Sequence, residues 1–179
     1  LLLGADQLTN TYNFIRRKSP QASFTIVFVI VDSGYQGLQS SVNNFGDLCS
    51  LARIPGFTIT NREDAKEIIN TPLVSPGLKI IGVSQRLFGK ELLDVETISV
   101  NKGKTVFQYK KGADATIACF NLSLPYGLTL HEKLNEQGID ASLFSVNAVT
   151  PVPWDDSIAD VQKTKNLVVI DDSKSENFS

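Results

Sequence analysis

The stretch from Phe24 to Gly56 constrains this chain more than any other. An apolar, β-branched run, Phe24 to Val31, enters a polar, glycine-containing loop, Asp32 to Asn44. A short amphipathic segment, Phe45 to Arg53, follows and stops at Pro55-Gly56. That order is strand, loop, helix, stop. A strand with apolar residues on both faces belongs to a parallel sheet covered by helices on each side. In an open α/β sheet the loop after a strand's carboxyl end is where ligands sit. The loop here is rich in neutral donors and acceptors and has no histidine, lysine or arginine. Acid–base work near neutral pH needs a tuned titrating group, and Asp32 is the sole candidate. The composition therefore favours a binding or interface loop over an inert turn or a catalytic one.

The rest of the chain continues the alternation. Ala5 to Arg16 has Leu8, Tyr12 and Ile15 near helical spacing, and Arg16-Arg17-Lys18 suits the negative end of the helix dipole. Phe57 to Thr60 is a short strand. Asn61 then caps a helix whose first turn is acidic (Glu63, Asp64) and whose buried face is Ala65, Ile68 and Ile69. Pro72 and Ser75-Pro76-Gly77 break it before a strand at Leu78 to Val83. Residues 85–112 are charged and punctuated by glycine, with short strand-like runs at Glu96 to Val100 and Thr105 to Tyr109. A second alternation follows: strand Ala115 to Phe120, helix Pro125 to Gln137 closed by Gly138, strand Ala141 to Val146, a rigid Thr150-Pro151-Val152-Pro153 turn, helix Asp155 to Lys163, strand Asn166 to Ile170. The fold class is α/β, with a parallel-sheet unit over 1–90, a connection with some β pairing over 91–112, and a second α/β unit over 113–179.

Composition bounds the function. At 179 residues the chain suits one domain or two small ones. Its net charge of −2 gives no basic footprint for nucleic acid. No apolar run approaches the roughly 18 residues of a membrane span. Cys49 and Cys119 lie far apart, lack metal-ligand spacing and read as buried free thiols, which fits a reducing, intracellular compartment: cytoplasm, or mitochondrial matrix in a eukaryote. The start, Leu1-Leu2-Leu3-Gly4, lacks the features of a signal peptide. The absence of methionine reads most simply as a fragment or a processed chain.

Other candidate chemistry is sparse. There is no Walker pattern, G-x-G-x-x-G or G-x-S-x-G. His131, the only histidine, faces Leu128 and Leu134 and reads as structural. Asp171-Asp172 follow a strand's carboxyl end and read as a solvated turn, with Mg²⁺ ligation the alternative. Trp154 reads as a packing or interface residue. No metal-binding residue is assigned.

In order and spacing, several motifs resemble the thiamine-diphosphate transketolase-like superfamily. Ala5-Asp6-Gln7-Leu8-Thr9-Asn10 is similar to the A-x-D-Q-x-x-N helix of 2-oxo acid dehydrogenase beta subunits. Asp47 to Gly56 is similar to the helix and I-P-G stop of transketolases. Glu63-Asp64-Ala65-Lys66 and Arg86-Leu87-Phe88 match the following elements. In the second half, Lys111 to Ile117, Glu136 to Ala141, Thr150-Pro151 and Lys165 to Asp171 continue the pattern through the family's C-terminal domain. The resemblance covers nearly the whole chain. It implies a partial pyrimidine-binding domain followed by a partial transketolase C-terminal-like domain.

What the family uses for chemistry maps poorly onto this sequence. The glutamate that drives ylid formation would precede Leu1. The family's loop histidine falls at Asn43 or Val42. The G-D-G…N motif for Mg²⁺ and diphosphate is absent, and in split enzymes it lies on the partner chain. Some beta subunits hold a structural potassium ion on backbone oxygens of the loop matching Asn70 to Leu78, whose Asp and Asn positions read Ser75 and Gly77 here. The resemblance thus implies a non-autonomous subunit for 2-oxo acid decarboxylation or ketol transfer. Thiamine diphosphate and Mg²⁺ would be bound mainly by a partner in a homo- or hetero-oligomer. Gln39, Ser40 and Asn43 would face the cofactor or substrate. The alternatives are a degenerate, non-binding homologue with a structural or regulatory role, and an unrelated flavodoxin-like binding domain.

Overall fold

In the computed structural model, described for residues 4–30, 44–71, 74–85 and 95–173, two sheets carry the alternation. The first half runs α1 (Ala5–Lys18), β1 (Ser23–Ile30), α2 (Phe45–Ala52), β2 (Gly56–Ile59), α3 (Arg62–Asn70) and β3 (Gly77–Ser84). The second runs β4 (Ser99–Val100), β5 (Val106–Lys110), β6 (Ala115–Phe120), α4 (Leu124–Glu136), β7 (Ala141–Val146), β8 (Ala148–Thr150), α5 (Asp155–Thr164) and β9 (Leu167–Asp171).

The first sheet has the order β1-β3-β2-β8, with β1, β3 and β2 parallel and β8 antiparallel on β2. The second has the order β4-β5-β7-β6-β9, with β7, β6 and β9 parallel. β4 and β5, which the sequence places in a connection, pair antiparallel into this second sheet through β7. Phe107 and Tyr109 of β5 are fully buried there.

Local chemistry explains the element ends. Asn61 Oδ1 accepts from the backbone N–H of Glu63 (2.8 Å) and Asp64 (3.1 Å), while Asp64 Oδ1 accepts from Asn61 N–H. That reciprocal pair is a capping box and fixes where α3 starts. α2 ends at Arg53, which adopts a left-handed conformation before Ile54-Pro55. Trp154 opens α5 and packs on Phe120, ring centroids 5.1 Å apart, which settles it as a packing residue.

Two expectations differ from the structure. The link between Val146 and the Thr150-Pro151-Val152-Pro153 turn, unassigned in the sequence, holds a strand, β8, because its partner β2 is distant in sequence and no local pattern announces it. Among the described residues the run Phe24 to Ile30 keeps several apolar side chains exposed. Among the described residues β1 is an edge strand, and Phe24, Val27 and Val29 are 44, 57 and 49% exposed.

The core bridges the halves. Ile68 of α3 and Ile81 of β3 pack in one cluster with Phe107, Ile117 and Leu143 of the second sheet. A second cluster sits under α2, where Phe45, Leu48, Cys49 and Ala52 meet Ile30, Ile80 and Val149. Gly82 is closely packed here. A Cβ on it would lie 2.9 Å from Ile30 Cδ1 and 3.0 Å from Phe45 Cε1. Gly82→Ala should therefore lower stability by about 1–3 kcal/mol through overpacking, read as a fall in the urea midpoint. An unchanged midpoint would mean that Phe45 can move aside freely.

Candidate functional site

Ile30 ends β1 and pairs in register with Ser84, which ends β3. These neighbouring parallel strands therefore end side by side at one carboxyl edge of the sheet. The chain enters α2 at Phe45, whose ring packs under Gly82 beside Ile30. The frame of this edge is apolar and close-packed: Ile30 and Phe45 are buried and Ser84 is fully so. Gln39, Ser40 and Asn43, the residues assigned from the sequence, lie outside the described residues, as do Asp32 and Arg86-Leu87-Phe88.

The other carboxyl edges are already filled. Asn121 follows β6 and Asn147 follows β7, and both meet β2. Thr58 Oγ1 donates to the Asn121 carbonyl at 2.9 Å, and Thr58 N–H donates to the Asn147 carbonyl at 2.8 Å. Asn147 Nδ2 donates to Thr58 O at 2.9 Å and to Asp64 Oδ2 at 2.7 Å, while its Oδ1 accepts from Ser145 Oγ at 2.7 Å. Asp64 is 0% exposed. Its carboxylate also accepts from the N–H groups of Thr60 and Asn61, each at 3.1 Å, and from the Thr60 hydroxyl. Asn61 Nδ2 in turn donates to Tyr109 OH at 2.6 Å. Two side chains from the second half, Asn147 and Tyr109, are thus tied to one turn in the first. The sequence shows the Asn61 cap but not the burial of Asp64, because the covering groups come from residues 109 and 147.

Burial raises the Asp64 pKa to about 6 from 3.8, while the donors from Thr60, Asn61 and Asn147 pull it down. Burial also raises Tyr109, reinforced by the negative charge of Asp64. Both thiols are buried and free, and burial pushes Cys49 and Cys119 each up to about 12, so neither is a nucleophile near neutral pH. His131 lies on the buried face of α4, with Asn135 Nδ2 3.4 Å from its Nδ1, and burial and Lys110 lower its pKa. Its place is structural. Asp171 and Asp172 are half-buried and bonded within the protein. Asp171 accepts from Asn121 Nδ2 (2.6 Å) and from Ser173, and Asp172 accepts from Leu122 N–H (3.0 Å). Among the described residues no three His, Cys, Asp or Glu side chains group to hold a metal. No helix among them is long and apolar enough to cross a membrane.

The described residues thus make an α/β chain of two sheets, and comparison gives that fold its class. A solved structure described as "Split gene transketolase, inactive beta4 tetramer" superposes on 93% of this chain and 54% of its own, with a TM-score of 0.67 and 16% identity. Transketolase from Campylobacter jejuni superposes on 85% of this chain and 24% of its own, with a TM-score of 0.65 and 12% identity. The fold is that of the transketolase-like proteins. In sequence the chain is 24% identical over 128 residues to the pyruvate dehydrogenase E1 component subunit beta of Rhizobium meliloti, and 26% identical over 130 residues to the mitochondrial subunit beta-1 of Arabidopsis thaliana. Each alignment covers 68% of this chain but only 27% and 35% of those relatives. No family model matches. In sequence the chain is thus similar, at a distance, to E1 beta subunits, and in fold it is similar to transketolases.

The pKa of Asp64 gives a signed prediction. A carboxyl whose folded value lies above its unfolded value binds its proton more tightly in the folded chain. Its stabilising contribution is full below the ordinary value of 3.8 and is lost as pH rises through about 6. A carbon-13 titration of the Asp64 carboxyl should therefore show a midpoint near 6. Asp64→Asn should flatten the fall in wild-type stability across that window. A midpoint near 4 would show that the donor set outweighs burial. Separately, Asn147→Ala removes a donor from Asp64 and from Thr58 O, and should cost about 1–3 kcal/mol in chemical denaturation.

Proposed function

We propose that this chain is a non-autonomous subunit of a thiamine-diphosphate-dependent enzyme of the 2-oxo acid decarboxylation or ketol-transfer class. The observation that carries this reading is the β1–β3 carboxyl edge. There β1 and β3 end in register, Ile30 beside Ser84, in a chain whose sequence relatives are named as beta subunits of an E1 component. The loop starting there would supply Gln39, Ser40 and Asn43 as one hydrogen-bonding wall of a site shared with a partner chain. The described residues do not fit the diphosphate and its Mg²⁺. Asp64 is engaged by protein donors on both oxygens, and Asp171 and Asp172 are tied to Asn121, Ser173 and Leu122. The metal and diphosphate ligands therefore belong to the partner in this reading.

A degenerate homologue with a structural or regulatory role is the second reading. It is favoured by the absence of any histidine, lysine or arginine from the loop 32–44. Calorimetry separates the two. With thiamine diphosphate and Mg²⁺, the chain alone should give no binding heat, whereas the chain mixed with a diphosphate-binding subunit should give saturable heat that Gln39→Ala and Asn43→Ala weaken several-fold. A complex that forms but takes up no thiamine diphosphate would leave the degenerate reading standing.

A further inference from the structure

The link from α3 to β3 closes on a buried cation. Lys79, on the strand β3, is 3% exposed. A lysine so placed is tolerated only where its ammonium finds oxygen acceptors. The Nζ donates to Ser23 Oγ at 3.0 Å and to the backbone carbonyl of Ser75. The register explains the first contact. Ser23 pairs with Gly77 and Thr25 with Lys79, so Ser23 sits diagonally beside Lys79 on the same face. The second contact follows from the turn. Gly77 has φ +98, a conformation that suits glycine, and its N–H donates to Ala22 O at 2.8 Å. One ammonium thus joins the Ser75-Pro76-Gly77 turn, the start of β1 and β3. Burial lowers its pKa, the direction expected for a charge held away from water.

The superfamily resemblance puts a potassium ion on backbone oxygens of this same loop. The residues here do not fit one. The Ser75 carbonyl is already taken by an ammonium, and a second cation on that oxygen would face a like charge at contact distance. The two positions that carry Asp and Asn in the ion-binding pattern are Ser75 and Gly77, which has no side chain to offer. Potassium and ammonium carry the same charge, and both accept neutral oxygens as neighbours. We propose that Lys79 is a covalently attached replacement for that monovalent cation, holding the 75–77 turn to the first strand and making the fold independent of potassium. This is separate from the question of thiamine diphosphate binding, because nothing in it involves the β1–β3 carboxyl edge.

Thermal unfolding of the full chain tests it, in potassium, ammonium and choline chloride at matched ionic strength. The wild-type chain should unfold at one temperature in all three salts. Lys79→Met, which keeps the stem but not the charge, should unfold well below wild type. Lys79→Ala, which vacates the site, should unfold lowest in choline and regain part of the loss in potassium or ammonium. Stabilisation of the wild type by potassium over choline would overturn the proposal, since an ion would then still bind beside Lys79. A Lys79→Met chain as stable as wild type would overturn it too, by showing that only the stem matters. So would a Lys79→Ala chain equally unstable in all three salts.

Discussion

The carboxylate of Asp64 is the contact on which the two halves depend. It lies at the carboxyl end of β2, caps α3 through Asn61, and accepts from Asn147 at the carboxyl end of β7. In an open α/β sheet that end is where a ligand sits. Here the second sheet presents its carboxyl ends to Thr58 and Asp64 instead, so the first half occupies the crevice of the second. A buried carboxylate with donors on both oxygens does for the fold what a bound anion does in a free-standing sheet. Removing a donor leaves a buried polar atom without a partner, and that penalty exceeds the net gain from forming the bond. The junction is therefore specific as well as stabilising.

How much of this was legible depends on where the information lies along the chain. Ala115–Phe120 and Ala141–Val146 read correctly to the residue because both are buried parallel strands bounded by polar turns. The Asn61 cap of α3 was legible because cap and first turn are neighbours in sequence, whereas the reciprocal bond from Asp64 comes from the structure. β8 was not, since Ala148-Val149-Thr150 is a strand only by virtue of β2. β1 was read as a strand but given the wrong surroundings. An apolar run at a sheet edge has the same composition as one in the middle, and only the strand order separates them. At the candidate site the sequence supplied the loop's residues, whereas the structure supplies the apolar frame of Ile30, Gly82 and Phe45 that presents it.

The titratable groups point the same way as the topology. Cys49, Asp64, Lys79, Tyr109, Cys119 and His131 all depart from their ordinary pKa values, and each is at most 8% exposed. Active sites shift pKa values where a group also meets solvent or substrate. Here every shift comes first from burial, and every shifted group serves packing or an internal hydrogen bond. The groups with shifted pKa values are thus sequestered in the interior of the described chain. Chemistry at the β1–β3 edge would draw on other groups, from the rest of this chain or from another chain. The loop 32–44 carries Asp32 as its one acid and no basic group. The segment 86–94, also outside the described residues, carries Arg86, Lys90, Glu91 and Asp94, so titrating groups can come from this chain as well as from a second one.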